Sequence, residues 1–490
     1  MKPRYIAYCI WIVIALLGVI CYFIPKGGWE IGKYQLRFPT LTEALDIRDG
    51  EAVNIGEAVN GGETVNDGEA VNDGKAVNGG ETVNGGEAVN DGEAVNGGEA
   101  VNIGEAVNGG ETVNGGEAVK VSEAVKDTRA YLSAFYNALD SAALMPIRVM
   151  HYGDSQIEED RITNILREQW QKQYGGGGVG LIPLHQTIPT RSIRQWITMN
   201  GTVQTTQGGP KRYLVYGPRS MRLAESNSYG VMGQMAVMDS MLVKGSEDIV
   251  LSIEPIDKKR KSHNYFNRMR VLADSVSGYV IAQDTTLYFT DSTPIIIPDS
   301  TTECEIHLHG KGNIYGVSLE NATGIIVDNI PMRGCSGNIF TKIDSTQLSN
   351  FYRETNTRLI ILQFGGNMIP QTENPSTISG YVRSTLRQQV RYIRACAPQA
   401  SILFIGPSDM STNIDGTMTT YPLVPYMDKQ LKKMAAEEQI AYWSMYDAMG
   451  GYNSMVTWVE KGLAGSDYVH FTRAGANNIG KKLYKWIEER

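Results

Sequence analysis

The sequence predicts an α/β fold in which a parallel sheet carries helices on both faces and is interrupted by an inserted β-sandwich. Beyond residue 337, apolar strand-like runs alternate with amphipathic helical segments, a pattern typical of parallel sheets with sites at the carboxyl ends of the strands. Between residues 189 and 320, short β-branched runs separated by turn residues predict the β-rich insert. The α/β domain is therefore predicted at 128–188 and 321–490, with strands at 359–364, 402–406 and 440–446 and helices at 382–393, 426–438 and from residue 474.

Ser155 follows a β-prone run that breaks at Gly153 and leads into a helix. Apolar side chains at four-residue spacing indicate the helix, namely Ile162, Leu166, Trp170 and Tyr174. Acidic residues 158–160 are expected in its first turn, where the helix macrodipole favours negative charge. Ser155 is thus expected at the amino end of a helix, with an unpaired backbone N–H available to an oxyanion.

A serine is a weak nucleophile without a base, so acyl-transfer chemistry needs a histidine within reach and a carboxylate that fixes its tautomer. Of six histidines, His470 stands out because Asp467 precedes it by three residues in a loop before the final helix. Two other strand ends are candidates for the same site. One ends at Gly334 and Gly337, whose backbone N–H groups could approach a substrate closely, and the other ends near Asn367, whose amide could donate to a developing oxyanion. The four segments follow one another in a fixed chain order.

These segments, in this order, resemble the SGNH, or GDSL-type, hydrolase superfamily, whose four blocks supply a serine, a glycine, an asparagine and an Asp/His pair. The resemblance implies a flavodoxin-like three-layer domain with Ser155, Asp467 and His470 as a catalytic triad. It also implies an oxyanion hole built from the N–H groups of Ser155 and Gly337 and the Asn367 amide. This chemistry calls for no metal and no organic cofactor.

Within the superfamily, the stretch from Arg148 to Pro183 resembles the peptidoglycan O-acetylesterase branch. An insert at this place in that branch looks like a carbohydrate-binding module, which implies the same for residues 189–320. Two positions depart from the superfamily pattern: Gln156 stands where leucine is usual, and Met368 replaces the aspartate that commonly follows the asparagine. Neither departure removes a catalytic group, and the resemblance extends from about residue 146 to residue 490.

The N terminus carries a long apolar run. Ile6–Ile24 are 19 uncharged apolar residues behind Lys2 and Arg4, about the length that crosses a bilayer. Residues 1–26 are predicted to be a membrane anchor, with a cleaved signal peptide as the alternative, and residues 27–49 a juxtamembrane segment. The resemblance implies a bacterial enzyme whose catalytic domain lies outside the cytoplasm, in the periplasm.

Residues 50–127 consist of 13 six-residue units of the type Gly-Glu-Ala-Val-Asn-x. As a helix this period would spread the valines over all faces, and one valine per unit offers little to bury even in a hexapeptide β-solenoid. A disordered spacer is therefore predicted, with the solenoid as the alternative. Its 12 Glu and 4 Asp against 3 Lys give −13, which leaves +5 on the rest of a chain whose net charge is −8.

Other kinds of site find little support in the sequence. His307 and His309 share a strand face, but two ligands do not make a zinc site. The run Gly175–Gly178 lacks the Lys-Ser/Thr pair of a phosphate-binding loop. Outside the apolar N-terminal run, three cysteines allow at most one internal disulfide. No basic run with interleaved aromatics is present, so nucleic acid is not an expected partner.

The sequence therefore predicts a membrane-anchored, serine-dependent esterase that removes O-acetyl groups from a glycan, with cell-wall peptidoglycan as the expected substrate. Two alternatives stay open. The first is an acetyltransferase that uses the same triad and passes the acetyl group to a sugar. The second is a non-catalytic glycan-binding membrane protein in which the β insert makes the functional contacts. The oligomeric state is also left open.

Overall fold

The computed structural model describes residues 127–186, 188–204, 209–216, 228–238, 249–256, 265–290 and 292–489, together with four short strands nearer the N terminus. The chain divides into two compact units, Met1–Ala124 and Val125–Arg490. In the first unit Trp29–Ile31 pairs antiparallel with Tyr34–Leu36, and Val77–Asn78 pairs parallel with Val95–Asn96. The second unit contains every predicted site residue.

The predicted anchor at 1–26 and almost all of the repeat at 50–127 lie outside the described residues, so the anchor and the spacer stay predictions. Within the part of the chain that the structure describes, no helix is both long enough and apolar enough to cross a bilayer.

The second unit is built on a five-stranded parallel sheet. Its strands are β1 (Pro146–Gly153), β2 (Gly324–Pro331), β3 (Thr357–Gln363), β4 (Ser401–Ile405) and β5 (Ala441–Trp443). Their order is β2-β1-β3-β4-β5, with all neighbours parallel. This is the flavodoxin-like order, in which ligands bind outside the carboxyl ends of the strands. The predicted α/β fold with a parallel sheet is confirmed.

Helices cover both faces of this sheet. The α-helices are α1 (Ser133–Leu139), α2 (Thr163–Tyr174), α3 (Ser345–Glu354), α4 (Pro375–Gly380), α5 (Arg387–Cys396), α6 (Val424–Glu437), α7 (Met445–Met449), α8 (Ser454–Glu460) and α9 (Arg473–Glu488). Side chains alternate along β1, so that Ile147 and Val149 pack with α1, α2 and α9. Met150 and Tyr152 point the other way and pack with α3, α5 and α6. The result is three layers with two hydrophobic cores.

Between α2 and β2 the chain forms a ten-stranded antiparallel sheet. Its strands are Gly180–Ile182, Ile193–Met199, Thr202–Val203, Lys211–Leu214, Gln234–Met238, Ile249–Pro255, Phe266–Ala282, Thr285–Phe289, Ile295–Thr301 and Cys304–Glu320. The pairing makes one branched sheet over its own apolar core, so the sandwich and its glycan-binding role stay predictions. This sheet begins at Gly180, earlier than the boundary of 189 expected from the sequence.

The first and last strands of the antiparallel sheet are hydrogen-bonded neighbours. Gly180 pairs with Leu319, and Ile182 pairs with Val317. The glycine run Gly175–Gly178 precedes the first of these strands and packs against the start of β2. A Cβ on Gly176 would lie 2.4 Å from the carbonyl oxygen of Ile325. The run thus permits a close approach of two backbones, which explains it without any phosphate.

A buried ionic cluster joins the two sheets. Arg148 of β1 is fully buried and donates two hydrogen bonds of 2.8 Å to the carboxylate of Asp328 on β2. It also donates to the Ser318 hydroxyl at 3.0 Å and to the Glu320 carboxylate, both on the last antiparallel strand. Because an unpaired buried charge is costly, this cluster fixes the position of the antiparallel sheet against the parallel one.

Candidate active site

The serine singled out by the sequence lies at the carboxyl end of β1. Ser155 opens a short 3₁₀ turn, Ser155–Asp160, which Asp154 caps by accepting a 3.0 Å hydrogen bond from the Gln156 N–H. The Ser155 hydroxyl oxygen lies 2.9 Å from Nε2 of His470. In the described part of the chain no backbone carbonyl accepts a hydrogen bond from the Ser155 N–H, so this donor is available to a substrate.

His470 is held by Asp467 in the loop before α9. The Asp467 Oδ2 lies 2.7 Å from Nδ1 of His470, and its Oδ1 accepts hydrogen bonds of 3.0 Å from the N–H groups of Val469 and His470. Tyr468 adopts a φ of 55°, which closes the turn. With Nδ1–H donated to the carboxylate, Nε2 is left to accept the Ser155 hydroxyl proton.

Electrostatics keep Asp467 ionised. Partial burial alone would raise the pKa of its carboxyl, but the hydrogen bonds from the backbone and ring of His470 and from Val469 outweigh burial and lower it. The Asp467 side chain is 53% exposed and that of His470 37% exposed, so water and substrate both reach this side of the site. A serine, an imidazole and a carboxylate thus form one continuous chain of hydrogen bonds.

The acidic residues after the serine do not occupy the first turn of α2, and that expectation was wrong. Glu159 and Asp160 have φ values of 59° and 61°, and α2 begins only at Thr163. Their carboxylates bind arginines: Glu159 pairs with Arg191 at 3.2 Å, and Asp160 pairs with Arg167. Ion pairs with arginines, rather than the helix macrodipole, hold the carboxylates of Glu159 and Asp160 in position.

The two predicted oxyanion donors are both engaged within the protein. Gly337 has a φ of 95°, and its N–H donates to the Cys335 sulfur at 3.2 Å, a weak acceptor. The Asn367 amide nitrogen donates to Asp154 Oδ2 at 3.3 Å and to the Cys335 carbonyl at 3.2 Å. The two hydrogen bonds that the Asn367 amide donates are longer than the usual length of about 2.9–3.0 Å, so the amide can exchange one of them for a bond to a stronger acceptor.

Asp154 is a site residue that the sequence argument passed over. It is 6% exposed, and one carboxylate oxygen accepts from Gln156 N–H while the other accepts from the Asn367 amide. Burial raises the pKa of Asp154 to about 6. Asp154 therefore links the turn that carries Ser155 to Asn367. Its position as the residue before the helical turn, where aspartate often caps, was the available signal.

Gln156, the first departure from the superfamily pattern, also has a structural role. The side chain is buried, and its amide nitrogen donates to the Val469 carbonyl at 2.6 Å and to the Ser408 hydroxyl at 3.1 Å. Val469 precedes His470, so this amide ties the serine turn directly to the histidine loop. The substitution of leucine by glutamine exchanges an apolar contact for a directional one.

A flavodoxin-like sheet with serine, histidine and carboxylate at its carboxyl edge defines the class of SGNH-type hydrolases. The family model described as GDSL-like lipase/acylhydrolase matches residues 299–477. This match places a domain described as GDSL-like lipase/acylhydrolase in the chain and confirms the resemblance to SGNH hydrolases that the sequence predicted. The matched segment contains Gly337, Asn367, Asp467 and His470, while Ser155 precedes it.

A solved structure shares this fold. A peptidoglycan O-acetylesterase is similar over 75% of this chain and 97% of its own, with a TM-score of 0.56 at 19% identity. An acetyl xylan esterase matches 33% of this chain and 80% of its own at 10% identity and a TM-score of 0.24. A family 3 carbohydrate esterase from Clostridium thermocellum matches 32% and 67% at 13% identity and a TM-score of 0.23. No curated protein matches the sequence.

Proposed function

We propose that the protein is a serine-dependent O-acetylesterase that removes acetyl groups from a glycan, with peptidoglycan as its substrate. The observation that carries the proposal is the hydrogen-bonded chain from Ser155 through His470 to Asp467, with distances of 2.9 and 2.7 Å. His470 Nε2 takes the Ser155 proton as Oγ attacks the acetyl carbonyl, then returns it to the departing sugar hydroxyl. Water, deprotonated by the same nitrogen, hydrolyses the acetyl-serine to acetate.

The tetrahedral intermediate needs donors for its oxyanion. The Ser155 N–H is the foremost candidate, because it has no acceptor among the described residues. The Gly337 N–H joins it by exchanging a weak sulfur acceptor for a charged oxygen, and the Asn367 amide by giving up its 3.2 Å hydrogen bond to the neutral Cys335 carbonyl while it keeps the bond to Asp154. Each exchange is favourable because charge-assisted hydrogen bonds are roughly twice as strong as neutral ones.

Two observations support a glycan as substrate. The fold, including the antiparallel sheet, resembles a peptidoglycan O-acetylesterase over nearly the whole of that protein. The chain outside the repeat has a net charge of +5, which suits an anionic polymer. Hydrolysis is favoured over transfer because the side chains of His470 and Asp467 are open to water.

The apolar run Ile6–Ile24 is proposed to hold the protein in the membrane with residues 128–490 in the periplasm and the repeat as a tether. Membrane fractionation of the full-length protein, followed by protease digestion of intact spheroplasts, tests this. Retention in the membrane with loss of the catalytic unit is expected. Release of the full-length protein into the soluble fraction would contradict it.

Substituting the serine or the histidine tests the chemistry. In full-length protein, Ser155→Ala and His470→Ala should each reduce acetate release from O-acetylated peptidoglycan to below about a thousandth, because the two groups act as one unit. An aryl acetate provides a second readout. Ser141→Ala is the matched control, since Ser141 bonds to the Ala138 carbonyl at the amino end of β1. Full activity in a folded Ser155→Ala protein would exclude this mechanism.

A further inference from the structure

A cavity of about 390 Å³ lies between the turn that carries Ser155 and the antiparallel sheet. On one side it is lined by Glu158, by Pro331 at the end of β2 and by Arg333 just beyond that strand. On the other side it is lined by Arg212 and Gln234. Glu158 lies three residues beyond the serine in a 3₁₀ turn, a rise of roughly 6 Å. The cavity is therefore within reach of a sugar whose acetyl group is bound at Ser155.

The carboxylates that line this cavity already have partners. Glu158 is buried and accepts two hydrogen bonds from the guanidinium of Arg333, at 2.7 and 2.6 Å. Asp160 is paired with Arg167, and Glu159, the third carboxylate of the lining, is paired with Arg191 at 3.2 Å. These side chains satisfy one another, so their charges cancel and they offer a ligand little net field.

Arg212 is different. Its Nε donates to the side-chain oxygen of Gln234 at 2.9 Å, and the hydroxyl of Tyr216 lies beside the same guanidinium. Because Gln234 is only 8% exposed, its side chain is held in place and fixes the position of the Arg212 guanidinium. In the part of the chain that the structure describes, no carboxylate forms an ion pair with Arg212, and its terminal nitrogens retain donors for a bidentate acceptor.

The rest of the cavity wall strengthens the attraction between Arg212 and an anion. Apolar side chains form much of the lining, among them Leu214, Met232 and Ile330, which are all buried. Arg167 and Arg333 also line the cavity, but each is paired with a carboxylate. A cation without a carboxylate partner, beside a largely apolar surface, attracts an anion more strongly than it would in open water. The walls leave room for a sugar substituent, since pockets of about 300–1,000 Å³ accommodate small ligands.

We propose that this cavity binds a carboxylate of the glycan beside the acetylated sugar, with Arg212 as the counter-ion. The inference rests on the proposed esterase function and narrows its substrate to an acidic glycan. In peptidoglycan the carboxylate has two sources, the attached peptide and, on muramic acids that carry no peptide, the free lactyl group. Both present the same planar anion to the guanidinium, and Arg212 thereby selects for acidic over neutral acetylated polysaccharides.

The test compares Arg212→Gln with Arg194→Gln in the full-length protein. Arg194 is an exposed arginine of the same antiparallel sheet, paired with Glu254 at 2.9 Å, and is the matched control. The measured quantity is kcat/KM for O-acetylated peptidoglycan fragments divided by kcat/KM for a neutral aryl acetate. This ratio should fall about tenfold to a hundredfold in Arg212→Gln, mainly through KM, and stay at the wild-type value in Arg194→Gln.

Changing the substrate gives a second measurement that needs no variant. Methyl esterification of the glycan carboxylates should lower the ratio for the wild-type protein by the same factor, with no further loss in Arg212→Gln. Acetylated strands that carry a peptide on every muramic acid, compared with strands freed of peptide, locate the anion. Dependence on Arg212 only in the peptide-bearing strands assigns it to the peptide, and dependence only in the peptide-free strands assigns it to the lactyl group.

An equal ratio for wild-type protein and Arg212→Gln, or no effect of esterification on wild-type protein, would overturn the inference. That failure differs from failure of the proposed function. If the wild-type protein hydrolyses the aryl acetate but releases no acetate from any acetylated glycan, the proposed function is wrong. If it deacetylates acidic and neutral glycans equally well, the esterase stands and only the role of Arg212 is lost.

Discussion

Asp154→Asn should remove a loss of stability that the wild-type protein suffers as the pH rises toward neutrality, and it should lower activity. The folded-state pKa of Asp154 is about 6, against an ordinary value of 3.8, because burial disfavours the carboxylate. The folded protein therefore holds this proton more tightly than the unfolded chain does. Wild-type stability declines as pH rises from about 4 to about 6, and the loss is complete above the folded-state pKa.

The size of the effect follows from the two pKa values. A pKa difference of about 2 corresponds to roughly 3 kcal/mol, of which about 2 kcal/mol falls between pH values of about 4.5 and 7.5. An asparagine has no charge to bury. The unfolding free energy of Asp154→Asn minus that of the wild-type protein should thus rise by about 2 kcal/mol over this interval, as measured by urea denaturation.

Activity should move the other way. The carboxylate accepts hydrogen bonds from both Gln156 N–H and the Asn367 amide, whereas an asparagine has a single acceptor oxygen. In either orientation its NH₂ group faces a donor, so the Ser155 turn or Asn367 is displaced. We expect kcat on an aryl acetate to fall about tenfold, the equivalent of about 1.4 kcal/mol.

Asp447→Asn, which removes an exposed carboxylate, controls for the loss of one negative charge. If the wild-type and Asp154→Asn proteins show parallel pH profiles of unfolding free energy, burial of an ionised Asp154 does not cost stability. If the profiles diverge as expected but kcat is unchanged, Asp154 does not position Asn367. Either result would refute one half of the reasoning.

Two further substitutions test contacts between distant elements. Gln156→Leu removes the hydrogen bond to the Val469 carbonyl, so kcat on an aryl acetate should fall about tenfold. The control Gln173→Leu, on the exposed side of α2, should leave kcat unchanged. If the kcat of Gln156→Leu stayed within about twofold of the wild-type value, His470 would not need this hydrogen bond to hold its position. Arg148→Met leaves the carboxylate of Asp328 buried without a cation, while Glu320 keeps its ion pairs with Arg268 and Arg270. The substitution should lower the unfolding free energy by about 3–5 kcal/mol in urea, whereas Arg353→Met at an exposed site should not.

Local patterns in the sequence were sufficient for much of the fold. The four-residue apolar stripe predicts α2, which spans Thr163–Tyr174, and the alternation of strands and helices predicts the parallel sheet. The Asp467 to His470 spacing predicts a turn that brings the two side chains together, because only three residues separate them. Each of these signals depends on contacts between near neighbours in the chain.

The features that the sequence did not reveal depend on partners far along the chain. Glu158 leaves helical geometry in a turn where its carboxylate meets Arg333, 175 residues away. Asp154 gains its acceptor role from Asn367, 213 residues away. A single sequence contains no record of such pairs, so the kink after Ser155 and the roles of Asp154 and Gln156 had to come from the structure.

The adjacency of Gly180 and Leu319 has a consequence for how the enzyme assembles. If the intervening segment were a coil, bringing its ends together would cost about 3 kcal/mol more in chain entropy than closing a loop of a few residues. Once the antiparallel sheet has folded, its ends already lie side by side, and the parallel sheet meets only a short crossover between α2 and β2. The antiparallel sheet can then fold first and the parallel sheet after it. Segments of very different length could occupy this place in the chain without changing the register of β2 against β1.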